Sequence, residues 1–288
     1  MNTNPETSTA DLVNRPDRPD RRRALMLFGG AGLSAVLAAC SPGSEQGAAT
    51  TTSAGGASST NGASTTTDSG SSSTAATVVE DCSPIPEETA GPFPGDGSNG
   101  ADVLGQDGVV RSDIRSSFGS STTTAQGVPL TVQLDVVDVS SGCAPLAGAA
   151  VYIWHCDREG RYSMYSDGAT DENYLRGVQV ADDAGRVTFR TIFPAAYDGR
   201  WPHIHFEVFP DVASITDAGN KIATSQLAFP EDVCDAVYAT DGYEASVSNM
   251  RRTSLSSDMV FRDGAEDETP AVAGSVTEGY TATLAVPV

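Results

Sequence analysis

The stretch that most constrains this chain is His203 to Phe209, His-Ile-His-Phe-Glu-Val-Phe. Ile204, Phe206 and Val208 alternate with His203, His205 and Glu207, a period of two that predicts a strand. On a strand both imidazoles project from one face, roughly 6–7 Å apart along it, close enough to share one metal ion. Just upstream, Tyr197 and Arg200 lie in a segment broken by Pro194, Gly199 and Pro202, which predicts irregular backbone. The expectation is a strand, an irregular loop, and a His-x-His strand.

Around this stretch the alternation repeats. Strands are predicted over 130–139, 149–154, 187–192, 203–209 and 222–229, with later ones over 259–262 and 280–286. Only 231–239, with Val233 and Val237 four apart, reads as a short helix. Many short strands between turn residues predict an all-β fold, an antiparallel β-sandwich with long loops and at most one short helix. About 200 residues are enough for one such domain with its own core, and its expected extent is 78–288.

The first 77 residues read differently. Arg21, Arg22 and Arg23 precede an apolar run from Ala24 to Ala39, too short for a spanning helix and flanked like a bacterial export signal. Arg22-Arg23 resembles a twin-arginine signal, and Leu37-Ala38-Ala39-Cys40 resembles a lipobox. Residues 1–39 are therefore expected to be a signal peptide, and Cys40 to be lipidated, anchoring a cell-surface lipoprotein to the membrane. Residues 41–77 are Gly, Ser, Thr and Ala with little to bury, a tether spanning on the order of 35 Å. Removal of the signal would leave 12 basic and 34 acidic groups, net −22, against −21 for the whole chain. So acidic a surface excludes nucleic acid and anionic lipid surfaces as direct partners.

Four further cysteines, Cys82, Cys143, Cys156 and Cys234, allow up to two disulfides in an exported protein. The sequence does not choose among the three pairings, and Cys156 could equally be a buried thiol. With no Cys-x-x-Cys pair, a cysteine zinc site is disfavoured.

Metal chemistry needs more ligands than His203 and His205. The third histidine is His155, and tyrosines stand at Tyr162, Tyr165 and Tyr197. A phenol with its ordinary value near 10 is a poor zinc ligand, but ferric iron binds phenolate as a hard oxygen donor.

Three segments, taken together, resemble the intradiol ring-cleavage dioxygenase family. They are Pro145 to Asp157 with Gly160-Arg161-Tyr162, then Phe189 to Pro194 with Tyr197, Arg200 and His203-Ile204-His205-Phe206, then Thr224 to Pro230. The resemblance runs from about Glu87 to Pro230. It implies a mononuclear Fe(III) held by Tyr162, Tyr197, His203 and His205, with water or hydroxide as a fifth ligand. It further implies a catechol-type aromatic diol as substrate, O2 as co-substrate, and cleavage between the two hydroxyls to a cis,cis-muconate-type product. Tyr197 would be the ligand that substrate displaces, Arg200 would stabilise the anionic substrate, and Gln226 would line the pocket. Ala195-Ala196 and Asp198-Gly199 depart from the family pattern at the pocket mouth and leave the substrate open. A tether in place of a helical dimerisation region points to the shorter, exported branch, and a homo-oligomer stays open. Tyr165 stands as an alternative ligand to Tyr162. Two other functions compete: a zinc hydrolase using His155, His203 and His205, and a catalytically inactive lipoprotein that binds catechol or iron.

Overall fold

A computed structural model describes residues 82–288 of the chain. The expected signal peptide, the lipidation expected at Cys40 and the expected tether fall outside the described residues.

Strand β1 (Pro129–Asp138) carries the clearest alternation, and its Leu130, Val132, Leu134 and Val136 are all buried. It pairs antiparallel with β5 (Arg186–Ile192) and, at its far end, with the two-residue β2 (Ala144–Pro145). On its other side it pairs with β9 (Gly279–Pro287), which pairs in turn with β8 (Ala271–Ser275). The β1–β9 pair runs parallel, a departure from the all-antiparallel expectation. The second sheet has the order β4 (Arg176–Val180), β3 (Ala150–Trp154), β6 (His203–Phe209), β7 (Ala223–Ala228), antiparallel throughout.

The core lies between the sheets. β1 and β5 contribute Val132, Leu134, Val187 and Phe189, while β3 and β6 contribute Val151, Ile153, Ile204, Phe206 and Val208. β3 and β6 are buried on both faces, because the other face of their sheet is covered by loops. There Tyr152, Trp154 and Phe209 pack with Val103, Leu104, Tyr162 and Ala195. The period of two in β6 therefore sends its aliphatic residues into the sandwich and its histidines outward, under those loops.

Several expectations change. Two short helices form instead of one, α1 (Glu231–Tyr238) and α2 (Glu244–Met250). Residues 259–262 are not a strand. The Asp258 carboxylate accepts from the backbone N–H of Val260 and Phe261, and this curls the segment into a turn that leads into a 3-10 helix at Phe261–Asp263. Strands β4 and β8 escape sequence reading because Gly177, Gly274 and small neighbours blur their periodicity. Of the three pairings open to the cysteines, Cys82–Cys143 forms, with a Cα–Cα distance of 5.8 Å. Cys156 and Cys234 are buried thiols.

From that disulfide an extended arm runs along the molecule. Ile85 N–H donates to Pro287 O (2.9 Å) and Glu88 N–H to Thr224 O (2.8 Å), so the arm follows the rim of the sandwich to the outer face of β6 and β7. Among the described residues no helix is long and apolar enough to cross a membrane.

Candidate metal centre

Four of the side chains singled out in the sequence converge on the loop-covered face. His203 and His205 leave β6 side by side, and their Nε2 atoms are 3.2 Å apart. Tyr162 comes from the loop after β3, and Tyr197 from the loop between β5 and β6. Their phenol oxygens lie 3.4 and 3.2 Å from His203 Nε2 and 3.4 Å from each other.

Each ring is oriented by neighbours. His203 Nδ1 donates to Trp201 O at 2.5 Å, which leaves the Nε2 lone pair facing the cluster. His205 stacks on Trp154 with centroids 4.9 Å apart and planes 4° from parallel. Phe93 of the arm packs on Tyr162 at 4.9 Å. Two close approaches require glycine. Gly91 (φ +68) faces His205, where a Cβ would sit 3.4 Å from Cε1, and Gly160 (φ +84) faces Tyr197, where a Cβ would sit 3.2 Å from that of the tyrosine.

Burial sets the protonation. It pushes the His203 imidazole down to about 3, with the Arg200 charge adding to the effect. His205 is held well below its ordinary value by burial and then by His203. Burial pushes the Tyr197 phenol up to about 12, although Arg200 pulls the other way, and holds Tyr162 well above its ordinary value. Left to themselves, both imidazoles and both phenols are neutral.

Four convergent lone-pair donors with no anion among them are suited to a cation. Donors about 2 Å from one ion in a near-tetrahedral set stand about 3.3 Å from one another, and His203 Nε2 stands 3.2–3.4 Å from each of the other three donors. Two oxygen donors with two imidazoles fit a hard, highly charged ion able to draw the proton off a phenol. Among the described residues no group of three or more His, Cys, Asp or Glu side chains could hold a metal ion, so a site here depends on tyrosine.

Arg200 and Gln226 border the cluster. Arg200 Nη2 donates to Gln226 Oε1 (2.7 Å), and its Nη1 lies 3.4 Å from His203 Nε2. Gln226 stands opposite His205 in the β6–β7 register, and its Nε2 donates to Thr89 O of the arm (2.8 Å). Asp258 gave no sequence signal, since it is one acid among many in a Ser-rich segment. It is fully buried and accepts from Arg200 Nε (2.9 Å) and from the Trp201 N–H (2.6 Å). Phe261, expected in a strand, instead packs its ring 5.9 Å from the Arg200 guanidinium and 6.4 Å from His203.

Two alternatives are not assembled. His155 spends both ring nitrogens elsewhere, Nδ1 on Cys156 O (2.8 Å) and Nε2 on Thr191 Oγ1 (2.7 Å), so no three-histidine set forms. The Tyr165 hydroxyl accepts from Gly95 N–H (2.9 Å) and donates to Asn99 Oδ1 (2.8 Å), which leaves Tyr162 as the phenol in the cluster.

The chain and its fold are similar to known proteins. A family model described as a dioxygenase matches residues 112–245. The chain is 28% identical to an intradiol ring-cleavage dioxygenase from Tetranychus urticae of known structure, with a TM-score of 0.57 over 72% of this chain and 96% of that one. It is 35% identical over 54 residues to a chlorocatechol 1,2-dioxygenase from Rhodococcus opacus, covering 19% of this chain and 21% of that protein. It is 39% identical over 59 residues to a catechol 1,2-dioxygenase from Candida albicans, covering 19% and 20% respectively. Over residues 112–245 the chain thus matches a dioxygenase family model, and its structure is similar to that of an intradiol ring-cleavage dioxygenase. It spans about a fifth of the length of these curated relatives.

Proposed function

We propose that the chain is a ferric dioxygenase that cleaves a catechol-type aromatic diol between its two hydroxyls, with both atoms of O2 entering a cis,cis-muconate-type product. The convergence of two phenol oxygens and two imidazole nitrogens at 3.2–3.4 Å carries this reading. Tyr162, Tyr197, His203 and His205 would hold the ion. Ferric iron would supply the Lewis acidity and one-electron chemistry that let a chelated diol react with O2.

The surrounding residues fit that task. Tyr197 is only partly buried, whereas Tyr162 is almost fully enclosed. Tyr197 would thus be the donor with room to move aside for a diol. Its value near 12 makes the freed oxygen a strong base, able to take one of the diol's two protons. Arg200 is held on two sides, by Asp258 and Gln226, and offers a fixed positive charge where the deprotonated ring must sit. The aromatic wall of Trp154, Phe93 and Phe261 excludes water around it.

We also propose export as a lipoprotein anchored through Cys40. The Cys82–Cys143 disulfide supports an oxidising compartment.

The test is metal analysis and a visible spectrum of the full chain, before and after catechol, with oxygen uptake. About one iron per chain, a phenolate-to-iron band that shifts with catechol, and loss of that band in Tyr162→Phe and Tyr197→Phe are expected. A colourless zinc protein, or one that takes up no iron, would overturn the reading. Tight catechol binding without oxygen consumption would instead favour the inactive binding protein.

A further inference from the structure

Behind Tyr162 lies a second buried cluster that touches neither substrate nor donor atoms. Its centre is Arg176, the first residue of β4, which is fully buried. Its guanidinium makes five hydrogen bonds. Nε donates to Ser163 Oγ (3.0 Å), Nη1 to Pro94 O (2.8 Å) and Tyr152 Oη (3.0 Å), and Nη2 to Phe93 O (3.0 Å) and Ser163 O (2.9 Å). Every N–H of the fork is used, and every acceptor is neutral. A buried cation whose hydrogen bonds all go to neutral oxygens, with only the Tyr165 ring 5.4 Å away beside them, is a costly way to fasten a loop, so the position asks for more than packing.

Those acceptors surround Tyr162. Ser163 is its chain neighbour, and the Phe93 ring lies against its face. Tyr152 closes the cluster, donating its own hydroxyl to Pro94 O at 2.7 Å. The backbone on both sides of the knot is strained: Met164 (φ 71) and Leu175 (φ 58) hold left-handed conformations that non-glycine residues seldom adopt. The approach is also tight at Gly95, where a Cβ would meet Arg176 Nη1 at 2.9 Å. Arm, ligand loop and sheet therefore meet at one side chain, with the strain absorbed around it.

We propose that Arg176 is the positioning residue for Tyr162. By holding the Ser163 and Phe93 backbones together on either side of Tyr162 it fixes where the Tyr162 oxygen stands, and so would set the strength of that oxygen's bond to a metal. This rests on the ferric reading above. A residue that merely glued loops would affect stability and leave the spectrum and kinetics of the folded protein alone.

The experiment compares the full-length wild type with Arg176→Lys, which keeps the charge but not the five-point fork, and with Tyr152→Phe, which removes one acceptor. Three quantities are read: the position of the phenolate-to-iron band, the rate of iron loss to a chelator, and kcat and KM for catechol. In folded Arg176→Lys the band is expected to move, iron to leave faster, and kcat to fall about tenfold or more with KM changed far less. Tyr152→Phe is expected to move the band in the same direction by less. Should Arg176→Lys fail to fold, Tyr152→Phe decides alone. Wild-type band, iron loss and kcat in the folded variants overturn the proposal. A wild type without the band fails the ferric reading and takes this proposal with it, whereas an unchanged band in the variants leaves that reading standing.

Discussion

At the scale of single residues, the site is set by partners that hold the functional groups. Asp258 is the clearest case. Its carboxylate collects the Arg200 Nε–H and the Trp201 N–H on one oxygen and turns the 258–261 segment with the other. Burial raises its carboxyl, yet the backbone N–H groups and Arg200 outweigh that and hold it below the usual carboxylate range. In Asp258→Asn an amide N–H would face two donors, so Arg200 should swing from its place. We expect kcat/KM for catechol to fall 10- to 100-fold and the urea midpoint to drop by the equivalent of about 3 kcal/mol. Wild-type kinetics in the folded variant would show that Arg200 needs no such anchor. Glu268 behaves oppositely. Burial, then Glu88 and Asp263, push its carboxyl from 4.5 up to about 8. The folded state thus keeps a proton that the unfolded chain gives up near 4.5. This contribution is fully present at low pH and is lost as pH rises from about 4.5 to about 8. Glu268→Gln should match the wild type at pH 4.5 and be more stable than it at pH 8.5. Urea denaturation at the two pH values decides it: an equal wild-type deficit at both would mean the side chain is ionised throughout.

At the scale of elements, the arm from Cys82 to Asp96 links the sandwich to the site. It leaves the disulfide, runs beside β9 and β7, and ends in carbonyls gripped by Gln226 and Arg176. The crosslink closes a separation of 61 residues. By chain entropy its removal should cost about 4 kcal/mol, and the loosened arm should let Gly91 and Phe93 retreat from His205 and Tyr162. Cys82→Ser with Cys143→Ser is therefore expected to lower the thermal midpoint and also to weaken iron retention. Lower stability with unchanged iron loss would confine the disulfide's role to the sandwich. The sequence disclosed these elements unevenly. β6 was legible because Ile204, Phe206 and Val208 alternate without a break, and its histidines followed from the same period. Tyr162, Tyr197 and Arg200 stood out as residue types suited to a metal site, but their roles, and Gln226 altogether, came only through the family resemblance, since spacing does not bring residues so far apart in sequence together. Asp258 and Arg176 gave no signal, because one buried charge looks like any exposed charge until its partners are known. Residues 259–262 misled because an apolar triplet reads as a strand unless the turn made by the preceding aspartate is seen.

At the scale of the whole molecule, the site stands outside the sandwich core. The residues packed between the sheets include none of the four donors, which sit on the loop-covered face of the β4-β3-β6-β7 sheet. The core should therefore survive without metal, while the loops bearing Tyr162 and Tyr197 lose one of the contacts that gather them. Burial keeps the four groups neutral, so among the donors themselves no charge takes the place of a bound ion's. An ion present at about a thousand times its dissociation constant adds about 4 kcal/mol to the folded state. Here that increment belongs mostly to the loops. Stripping iron with a chelator should leave the far-UV spectrum close to that of the loaded protein. It should also open new protease cleavages within 158–172 and 195–200, with the strand segments spared. Restoring ferric iron should close them. Collapse of the far-UV signal on stripping would mean that the sandwich itself depends on the metal, and an unchanged cleavage pattern would mean that the loops are held by the protein alone.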